Sequence, residues 1–344
     1  MNYSKLGRTG LQVSRVCLGT MMYGSQISQA DAFAQMDYAL EHGINFFDTA
    51  EIYAIPPVPE TQGATERIIG EWFRARGGRD KVILASKIAG RADNITWIRN
   101  GPRHTRDHID AAVEGSLKRL QTDYIDLYQL HWPDRRVTGF GFHQYTDYDG
   151  DYEDFHAVLE SLDRHVRAGR IRHIGVSNES AWGVMRFVVE AEKHGLPRIA
   201  SIQNAYSLVS RAFEYGLAEV SLREDVGLLA YSPLAQGYLT GKYRNGALPA
   251  GARKTLYQRL NRYEGPGGQE AIDAYLDLAA TLGIKPEVLA LKFVDQRPFT
   301  TATIIGASTM EQLKTDIDAF DLEWTREIDQ AVFRLNLQRP NPCP

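Results

Sequence analysis

The segment RVCLGTMMYGSQISQADAFAQMDYALEHG (residues 15–43) joins a short apolar run to an amphipathic helix pattern, and this pairing decides the fold. Residues 15–19 are typical of a buried strand. Ser28 is a suitable N-cap for the helix that follows, and Gly43 is a suitable stop. The apolar residues between them recur at helical spacing: Phe33, Met36 and Leu40. The segment therefore predicts one strand followed by one helix.

The same alternation continues along the chain. Further short apolar runs lie at 45–48, 82–86, 125–130, 171–177, 199–203, 228–231 and 303–306. Helical patterns such as 105–120 separate them, so we expect parallel strands covered by helices. Eight such units predict an α/β fold of the (β/α)8 TIM barrel type. An open doubly wound sheet is the alternative, but its usual G-x-G-x-x-G turn is replaced here by GTMMYG at 19–24.

Four predicted connections are longer than a strand-to-helix link requires: 50–64, 90–104, 132–153 and 232–266. Barrel enzymes build their sites from such loops at the carboxyl ends of the strands. No linker composition divides the chain, so we expect one barrel domain over residues 1–344, with 320–344 as a C-terminal helix and tail.

The composition and charge of the chain exclude several kinds of partner. The chain has 344 residues and a net charge of −4, with no long basic run, which argues against nucleic acid or a membrane surface as partner. The first residues lack a signal-peptide pattern and no long apolar segment occurs, so a cytoplasmic protein is expected. Nothing in the composition indicates a homo-oligomer.

Cysteine and motif usage exclude other chemistries. The chain has two cysteines, Cys17 and Cys343, in positions that do not suggest a disulfide framework. It has no H-E-x-x-H, C-x-x-C or G-x-S-x-G motif, so neither a metal centre nor a hydrolase triad is predicted.

Polar residues at three strand ends suggest a common site. Asp48, Lys87 and His131 are the last polar residues of the second, third and fourth runs, and Tyr53 follows in the second loop. An ammonium beside a phenol stabilises the phenolate and lowers its pKa, and a carboxylate keeps that lysine charged. His131 could orient a substrate oxygen. The set suits proton transfer to a carbonyl oxygen.

The residues alone leave other interpretations open. A strand-end lysine can also form a Schiff base, which would make Lys87 the nucleophile of a lyase or aldolase. If the reaction is a reduction, no side chain supplies the hydride, so a nicotinamide cofactor is required. Taken singly, each residue could also have only a packing or capping role.

Several ordered motifs resemble those of the aldo-keto reductase family, most closely its bacterial Tas-like branch. They are NFFDTAEIY (45–53), ILASK (83–87), YIDLYQLHWPD (124–134), IGVSN (174–178), SIQNAYS (201–207), AYSPLAQGYLTGKY (230–243) and IIGASTMEQL (304–313). The resemblance extends from about residue 3 to residue 320. It implies a barrel, NADPH-dependent reduction of aldehydes or ketones, and a catalytic tetrad of Asp48, Tyr53, Lys87 and His131, with Tyr53 as proton donor.

The resemblance also implies how NADP(H) binds, in preference to NAD. Ser177, Asn178 and Gln203 would hold the nicotinamide carboxamide, while Tyr231 would stack on the ring. The pyrophosphate would be wrapped by Ser232, Leu234, Gln236 and Gly237 and neutralised by Lys242. Further positions of this cofactor set are Thr20, Met21, Asp48, Pro233 and Gly306.

For the ribose 2′-phosphate, the family pattern points to Ser308 and Gln312 at a helix start and to Arg253. Such a combination is a sound anion site. Where the family usually has Glu-Asn against the adenine, this chain has Thr315 and Asp316. An ionised aspartate accepts hydrogen bonds but donates none, so Asp316 is a departure from the pattern.

A small carbonyl compound is the expected partner. Its pocket is expected to include Tyr53, His131, Trp132, Ile55 and Trp97. The aromatic residues of loop 132–153 could form a lid, or could instead pack on helices or on a second subunit: Phe140, Phe142, Tyr145, Tyr148 and Tyr152. A relative of the potassium-channel β-subunit kind, which keeps a cofactor with little turnover, remains a further alternative, against which the presence of His131 counts.

Overall fold

Eight parallel strands close into a barrel in the computed structural model, which describes residues 1–138, 145, 150–257 and 261–343. Its strands are β1 (Tyr3–Lys5), β2 (Gln12–Ser14), β3 (Val16–Gly19), β4 (Phe46–Asp48), β5 (Ile83–Ile88), β6 (Ile125–Leu130), β7 (Ile171–Ser177), β8 (Ile199–Ala205), β9 (Gly227–Tyr231) and β10 (Thr300–Ile305). The barrel order runs from β3 to β9 in sequence and closes through β10, which pairs with both β9 and β3. The predicted TIM barrel is confirmed.

Helices cover the outside of the barrel. They are α1 (Gln29–Glu41), α2 (Ala64–Arg76), α3 (Arg106–Leu120), α4 (Phe155–Arg167), α5 (Ala181–His194), α6 (Leu217–Glu224), α7 (Arg253–Tyr257), α8 (Gly268–Thr281), α9 (Pro286–Asp295), α10 (Met310–Asp318) and α11 (Arg326–Gln338). The Ser28 side chain caps α1 as predicted, accepting from the Asp31 backbone N–H. Among the described residues, no helix is long and apolar enough to cross a membrane.

Several predicted strand boundaries differ from the structure, those of β5 and β10 among them. The third strand was expected over 82–86, but β5 continues to Ile88, so Lys87 lies within the strand and not after it. The last strand was expected over 303–306, whereas β10 begins at Thr300. Its first residues are threonines and an alanine, which pair with β9 although they carry no apolar pattern. Backbone pairing with a neighbour therefore extends a strand beyond its apolar run.

The barrel interior is apolar toward the amino ends of the strands and polar toward their carboxyl ends. The apolar inner residues are Leu6, Val13, Cys17, Phe46, Ala85, Leu127, Ala200, Leu229, Ala302 and Ile304. Side chains alternate between the two faces of a strand, so the residues two positions further along β4, β5 and β6 also point inward. These are Asp48, Lys87 and Gln129, all buried. The alternation stacks a polar layer on the apolar one.

A short antiparallel hairpin closes the other end of the barrel. Strands β1 and β2 pair from Tyr3 with Ser14 to Lys5 with Gln12, and the adjacent Leu6 and Val13 are fully buried in the inner core. The sequence analysis did not predict this hairpin, because strands of three residues are too short to show a periodicity. Because the hairpin closes one end of the barrel, the opposite end, where the carboxyl ends of the strands lie, is available for a site.

Gly70 of α2 lies against the backbone at the end of α3. A Cβ placed there would lie 2.4 Å from the carbonyl oxygen of Arg119, a backbone atom that cannot move aside easily. We expect Gly70→Ala to lower the free energy of unfolding, because an overpacking cost of about 1–3 kcal/mol exceeds the gain in helix propensity of about 1 kcal/mol. Urea denaturation measures the change.

Gly115→Ala in α3 is the matched control. A Cβ at Gly115 would meet a terminal guanidinium nitrogen of Arg119 at 3.0 Å, so a shift of a few tenths of an ångström would accommodate it, although Arg119 is paired with Glu66. This variant should be neutral or slightly more stable. Equal destabilisation by both substitutions would contradict a specific backbone contact at Gly70.

Candidate active site

A buried ion pair lies at the carboxyl ends of β4 and β5. The Lys87 ammonium is 2.7 Å from a carboxylate oxygen of Asp48, and it also donates to the backbone carbonyl of Thr49 at 2.7 Å. Lys87 is fully buried and Asp48 nearly so. A charge in such a place is tolerated only when it is paired and hydrogen-bonded, and both conditions are met here.

Tyr53 and His131 complete a contiguous set with this ion pair. The Tyr53 hydroxyl lies 3.5 Å from the Lys87 ammonium and 3.4 Å from Nε2 of His131. The His131 backbone N–H donates to the carbonyl of Ile88, which fixes the residue directly after β6. The structure thus brings together all four residues of the predicted tetrad, with the Tyr53 hydroxyl between two nitrogen atoms.

The charge states follow from burial and from these neighbours. Burial opposes the charge on Lys87, but Asp48 and Tyr53 outweigh it and the pKa of Lys87 is raised. Burial together with the Lys87 charge lowers the pKa of His131 well below its usual value, so the imidazole is neutral. We therefore describe the set as one ammonium, one carboxylate, one phenol and one neutral imidazole.

The pKa of Tyr53 differs from the sequence-based expectation. Burial raises it, the Lys87 ammonium lowers it and the Asp48 carboxylate raises it, with a net upward shift. The predicted effect of Lys87 has the right sign, but burial outweighs it. The expected net lowering is therefore wrong for this structure, and Tyr53 retains its proton at neutral pH.

Two glutamines hold the second oxygen of Asp48. The Gln203 side-chain amide donates to it at 2.8 Å, and the Gln129 amide at 3.3 Å. Gln129 was missed in the sequence analysis. The available signal was its place two residues before His131, which puts it on the inner face of β6. The two amides orient the carboxylate toward Lys87.

The end of β7 is connected to the tetrad. Asn178 has a left-handed backbone with φ of 55°, and its amide donates to the backbone carbonyl of His131 at 2.8 Å. Its side-chain oxygen accepts from the Tyr231 hydroxyl at 2.7 Å. Ser177 donates to the backbone carbonyl of Gln203. The residues predicted to surround a nicotinamide are thus neighbours at one edge of the set.

The segment after β9 forms a tight turn. Ser232, Gln236 and Gly237 have positive φ angles, as does Ala235. Gly237 needs glycine for its positive φ, and a Cβ there would lie 2.4 Å from Cε of Lys242, whose side chain would have to shift. Pro233 is buried and Leu234 half-buried beside this turn.

Two further residues of the predicted cofactor set follow β3. Thr20 donates a hydrogen bond to the Asp48 carbonyl at 2.8 Å, and the half-buried Met21 comes next.

Two cations near this turn form no close ion pair among the described residues. Lys242 and Arg253 are half-buried there, whereas most arginines of the chain are paired with a carboxylate. Burial lowers the pKa of both, and the charge of Arg253 lowers that of Lys242 further, while the Asp316 carboxyl group acts in the opposite direction. Unpaired positive charge that is partly removed from water favours an anionic ligand.

Helix α10 begins a short loop after β10 ends. Gly306, Ser308 and Gln312 are exposed there, and the Gln312 side chain accepts from the Ser308 backbone N–H at 2.9 Å. Asp316 is buried on the same helix, and burial together with Glu287 raises its pKa to about 7. Near neutral pH its carboxyl group therefore carries a proton part of the time. Asp316 was expected only to accept hydrogen bonds, but its protonated form can also donate one.

A small apolar cluster lies beside Tyr53. It consists of Ala50, Ile52, Tyr53, Ile95 and Ile98, against which Ile55 and Trp132 pack. Trp97 is outside this cluster and 37% exposed, so the structure does not place it with the other predicted pocket residues. Tyr152 packs edge-on against Phe155 and Trp182, as the helix-packing alternative predicts. Phe140, Phe142 and Tyr148 lie outside the described residues.

Buried ion pairs hold the surrounding loops. Arg99 binds both carboxylate oxygens of Glu51 at 2.6 and 2.7 Å, which joins the second loop to the third. Asp134 binds Arg103, and Glu179 binds Arg135. The sequence analysis did not find these pairs, because their members are far apart in the chain. They fix the walls around Tyr53 and His131.

The chain is similar to known proteins over most or all of its length. Residues 15–332 match the model of the Aldo/keto reductase family. The chain is 51% identical to Protein tas of Escherichia coli K12, covering 100% of both chains. It is 40% identical to the Uncharacterized oxidoreductase YrpG of Bacillus subtilis, over 95% of this chain and 94% of that one. It is also 38% identical to an Aldo-keto reductase of Babesia bovis, over 69% of this chain and 88% of that one.

We expect Arg99→Met to lower the free energy of unfolding by roughly 2–4 kcal/mol, because it leaves the Glu51 carboxylate buried without its cation. Glu51 is 1% exposed in its side chain and Arg99 is 16% exposed. The double variant Glu51→Gln with Arg99→Met should recover part of this loss, since the amide carries no charge. Urea denaturation of the single and double variants measures the coupling.

Arg223→Met is the matched control, because Arg223 pairs with Glu219 at an exposed site. Such pairs contribute little. If Arg99→Met were no more destabilising than Arg223→Met, the Glu51–Arg99 pair would not stabilise the loops as described.

Proposed function

Because this chain belongs to the aldo/keto reductase family, and is an oxidoreductase of that type, we propose that it reduces an aldehyde or ketone to the alcohol with NADPH as its preferred cofactor. One observation carries the proposal: the Tyr53 hydroxyl lies 3.5 Å from the Lys87 ammonium and 3.4 Å from His131 Nε2. A phenol between an ammonium and a neutral imidazole is suited to give a proton to a substrate oxygen.

The residues present fit a phosphate-bearing dinucleotide. The turn at Ser232 to Gly237 requires glycine at its tightest point, and the unpaired Lys242 and Arg253 lie beside it. Lys242 and the turn would hold the pyrophosphate, while Arg253, Ser308 and Gln312 would hold the 2′-phosphate. Asn178, Gln203 and Tyr231 would hold and orient the nicotinamide ring. A nicotinamide held there would supply the hydride that the carbonyl carbon needs.

The chain's own residues complete the reduction. His131, neutral because of its burial and the nearby Lys87 charge, would hydrogen-bond the carbonyl oxygen and orient it. Tyr53 would transfer its phenolic proton to that oxygen as negative charge develops there. Lys87 would stabilise the phenolate left behind, and Asp48 would keep Lys87 charged. The raised pKa of Tyr53 keeps the proton in place until an oxygen more basic than phenolate forms.

The same contacts argue against a Schiff base on Lys87. A nucleophilic lysine must be deprotonated, but the pKa of Lys87 is raised and its ammonium donates to Asp48 and Thr49. Loss of NADPH absorbance with a panel of aldehydes and ketones tests the reductase directly. Absence of oxidation with every member of a broad panel, in a sample that binds NADPH, would favour the low-turnover alternative.

We expect Tyr53→Phe to lower kcat by about 10²- to 10⁴-fold, the usual contribution of a general acid. NADPH affinity should remain nearly unchanged, because the hydroxyl is proposed to contact the substrate. Steady-state kinetics and a fluorescence titration of NADPH separate the two effects. Tyr128→Phe, which removes a buried phenol on the helix-facing side of β6, is the control. Comparable turnover in Tyr53→Phe and the wild-type protein would remove Tyr53 from its proposed role.

We expect Arg253→Ala to weaken NADPH binding by roughly 10- to 150-fold, the effect of losing a charged hydrogen bond of about 1.5–3 kcal/mol. NADH binding should change little, since NADH lacks the 2′-phosphate. Titrations of both cofactors against both proteins measure this. Arg244→Ala, which removes an arginine paired with Asp277, should affect neither cofactor. Equal losses for NADPH and NADH would argue against a 2′-phosphate contact at Arg253.

A further inference from the structure

Two histidines and a glutamate meet on the outer surface of the barrel, between α4 and α5. They are His156 on the first turn of α4, and Glu190 and His194 on the last turns of α5. One potential ligand atom from each lies within 4.8 Å of the other two. The rings of His156 and His194 are 4.2 Å apart between centroids. None of the three has a place in the proposed reductase site.

The helices bring these side chains together. Glu190 and His194 are four residues apart on α5, so they lie on one face, and side chains on a helix lean toward its N-terminus. His194 therefore covers the turn that carries Glu190, and its Nε2 is 3.3 Å from a Glu190 oxygen. His156 reaches the same point from α4. Since the third residue comes from another helix, no local sequence motif marks the set.

The burial and the hydrogen-bond partners of these side chains indicate a ligand site. Nδ1 of His156 is buried and has no hydrogen-bond partner among the described residues. Arg186 occupies one Glu190 oxygen at 2.8 Å, which leaves the other oxygen for His194. His156 Nε2 is 3.4 Å from Glu160. Arg186 and Glu160 each form an ion pair with one of the three, and their charges offset each other.

The donor set selects the type of cation. Imidazole nitrogen with one carboxylate oxygen suits zinc and its transition-metal neighbours, whereas magnesium and calcium prefer oxygen ligands alone. Ligands at about 2.0–2.2 Å from a tetrahedral zinc ion lie about 3.3–3.6 Å from one another. The His194 and Glu190 atoms already have this separation at 3.3 Å. The His156 atom lies within 4.8 Å of both, so its side chain would have to rotate for the three to coordinate one ion.

We propose that His156, Glu190 and His194 bind one divalent transition-metal ion of the zinc type, with water completing the coordination. Bound there, the ion would join α4 to α5. Asp154 caps α4, and Glu179, which binds Arg135, directly precedes the cap of α5. The ion would therefore stabilise the side of the barrel that carries the fourth loop and the Ser177–Asn178 turn. It has no role in proton or hydride transfer, so this inference stands apart from the proposed function.

Calorimetric titration of the purified full-length chain with ZnCl2 tests the proposal. We expect one saturable site per chain and a higher melting temperature with Zn²⁺, since binding to the folded state stabilises it. MgCl2 should give neither effect. In His156→Ala and in His194→Ala, the Kd for Zn²⁺ should rise at least about tenfold, because each variant lacks a direct ligand. Glu190→Gln should weaken binding in the same direction.

His42→Ala is the matched control, since it removes an exposed imidazole stacked on Tyr38 at the end of α1. It should bind Zn²⁺ as the wild-type chain does. Melting curves without metal show whether each variant is folded, and Co²⁺ absorption spectra of the wild-type chain report nitrogen and oxygen coordination independently of any variant. A titration without a saturable one-to-one site would overturn the proposal. So would folded His156→Ala and His194→Ala variants that bind Zn²⁺ as tightly as His42→Ala.

Discussion

The ammonium of Lys87, held without solvent contact inside the barrel, is the constraint on which the candidate site depends. An unpaired charge there would be prohibitively costly, so Asp48 and the Thr49 carbonyl must be in place at 2.7 Å each. Asp48 in turn is held by Gln203 and Gln129. The Lys87 charge also affects the other two residues. It lowers the pKa of His131, which keeps the imidazole neutral, and it opposes the rise that burial causes in the pKa of Tyr53.

The barrel makes this arrangement possible by separating an apolar from a polar layer. The hairpin residues Leu6 and Val13 close the lower end, and the apolar inner side chains above them exclude water. Polar inner residues at the upper end then interact in a medium that screens charges weakly, which strengthens each contact. The same environment raises the cost of any unpaired group. This explains why the buried carboxylates of the loops, Glu51, Asp134 and Glu179, each bind an arginine.

Lys242 and Arg253 contrast with these satisfied pairs. The arginines around the tetrad bind carboxylates of the protein, while these two cations form no close ion pair among the described residues. Pairing fixes the walls of the site, whereas a cation without a close ion pair attracts an anionic ligand. The charged residues around the site are thus of two kinds: the paired ones hold loops together, and Lys242 and Arg253 are the ones proposed to bind phosphate. The Lys242 charge also opposes the rise of the Asp316 pKa to about 7.

The sequence by itself indicated the order of the barrel strands and the helices between them, and it placed Asp48, Lys87 and His131 at neighbouring strand ends, because parallel strands end on one face of the barrel. Tyr53 lies in a loop, so its place beside them was expected from the family resemblance and not from the strand pattern. The sequence could not give the extent of β10 or the hairpin of β1 and β2, since backbone pairing, and not an apolar pattern, forms them. Contacts between distant segments were also decided only by the tertiary structure. Burial set the pKa of Tyr53, the Glu51–Arg99 pair joined two loops, and packing of α4 on α5 brought His156 to Glu190. Each depends on distances through space, which spacing along a chain does not contain.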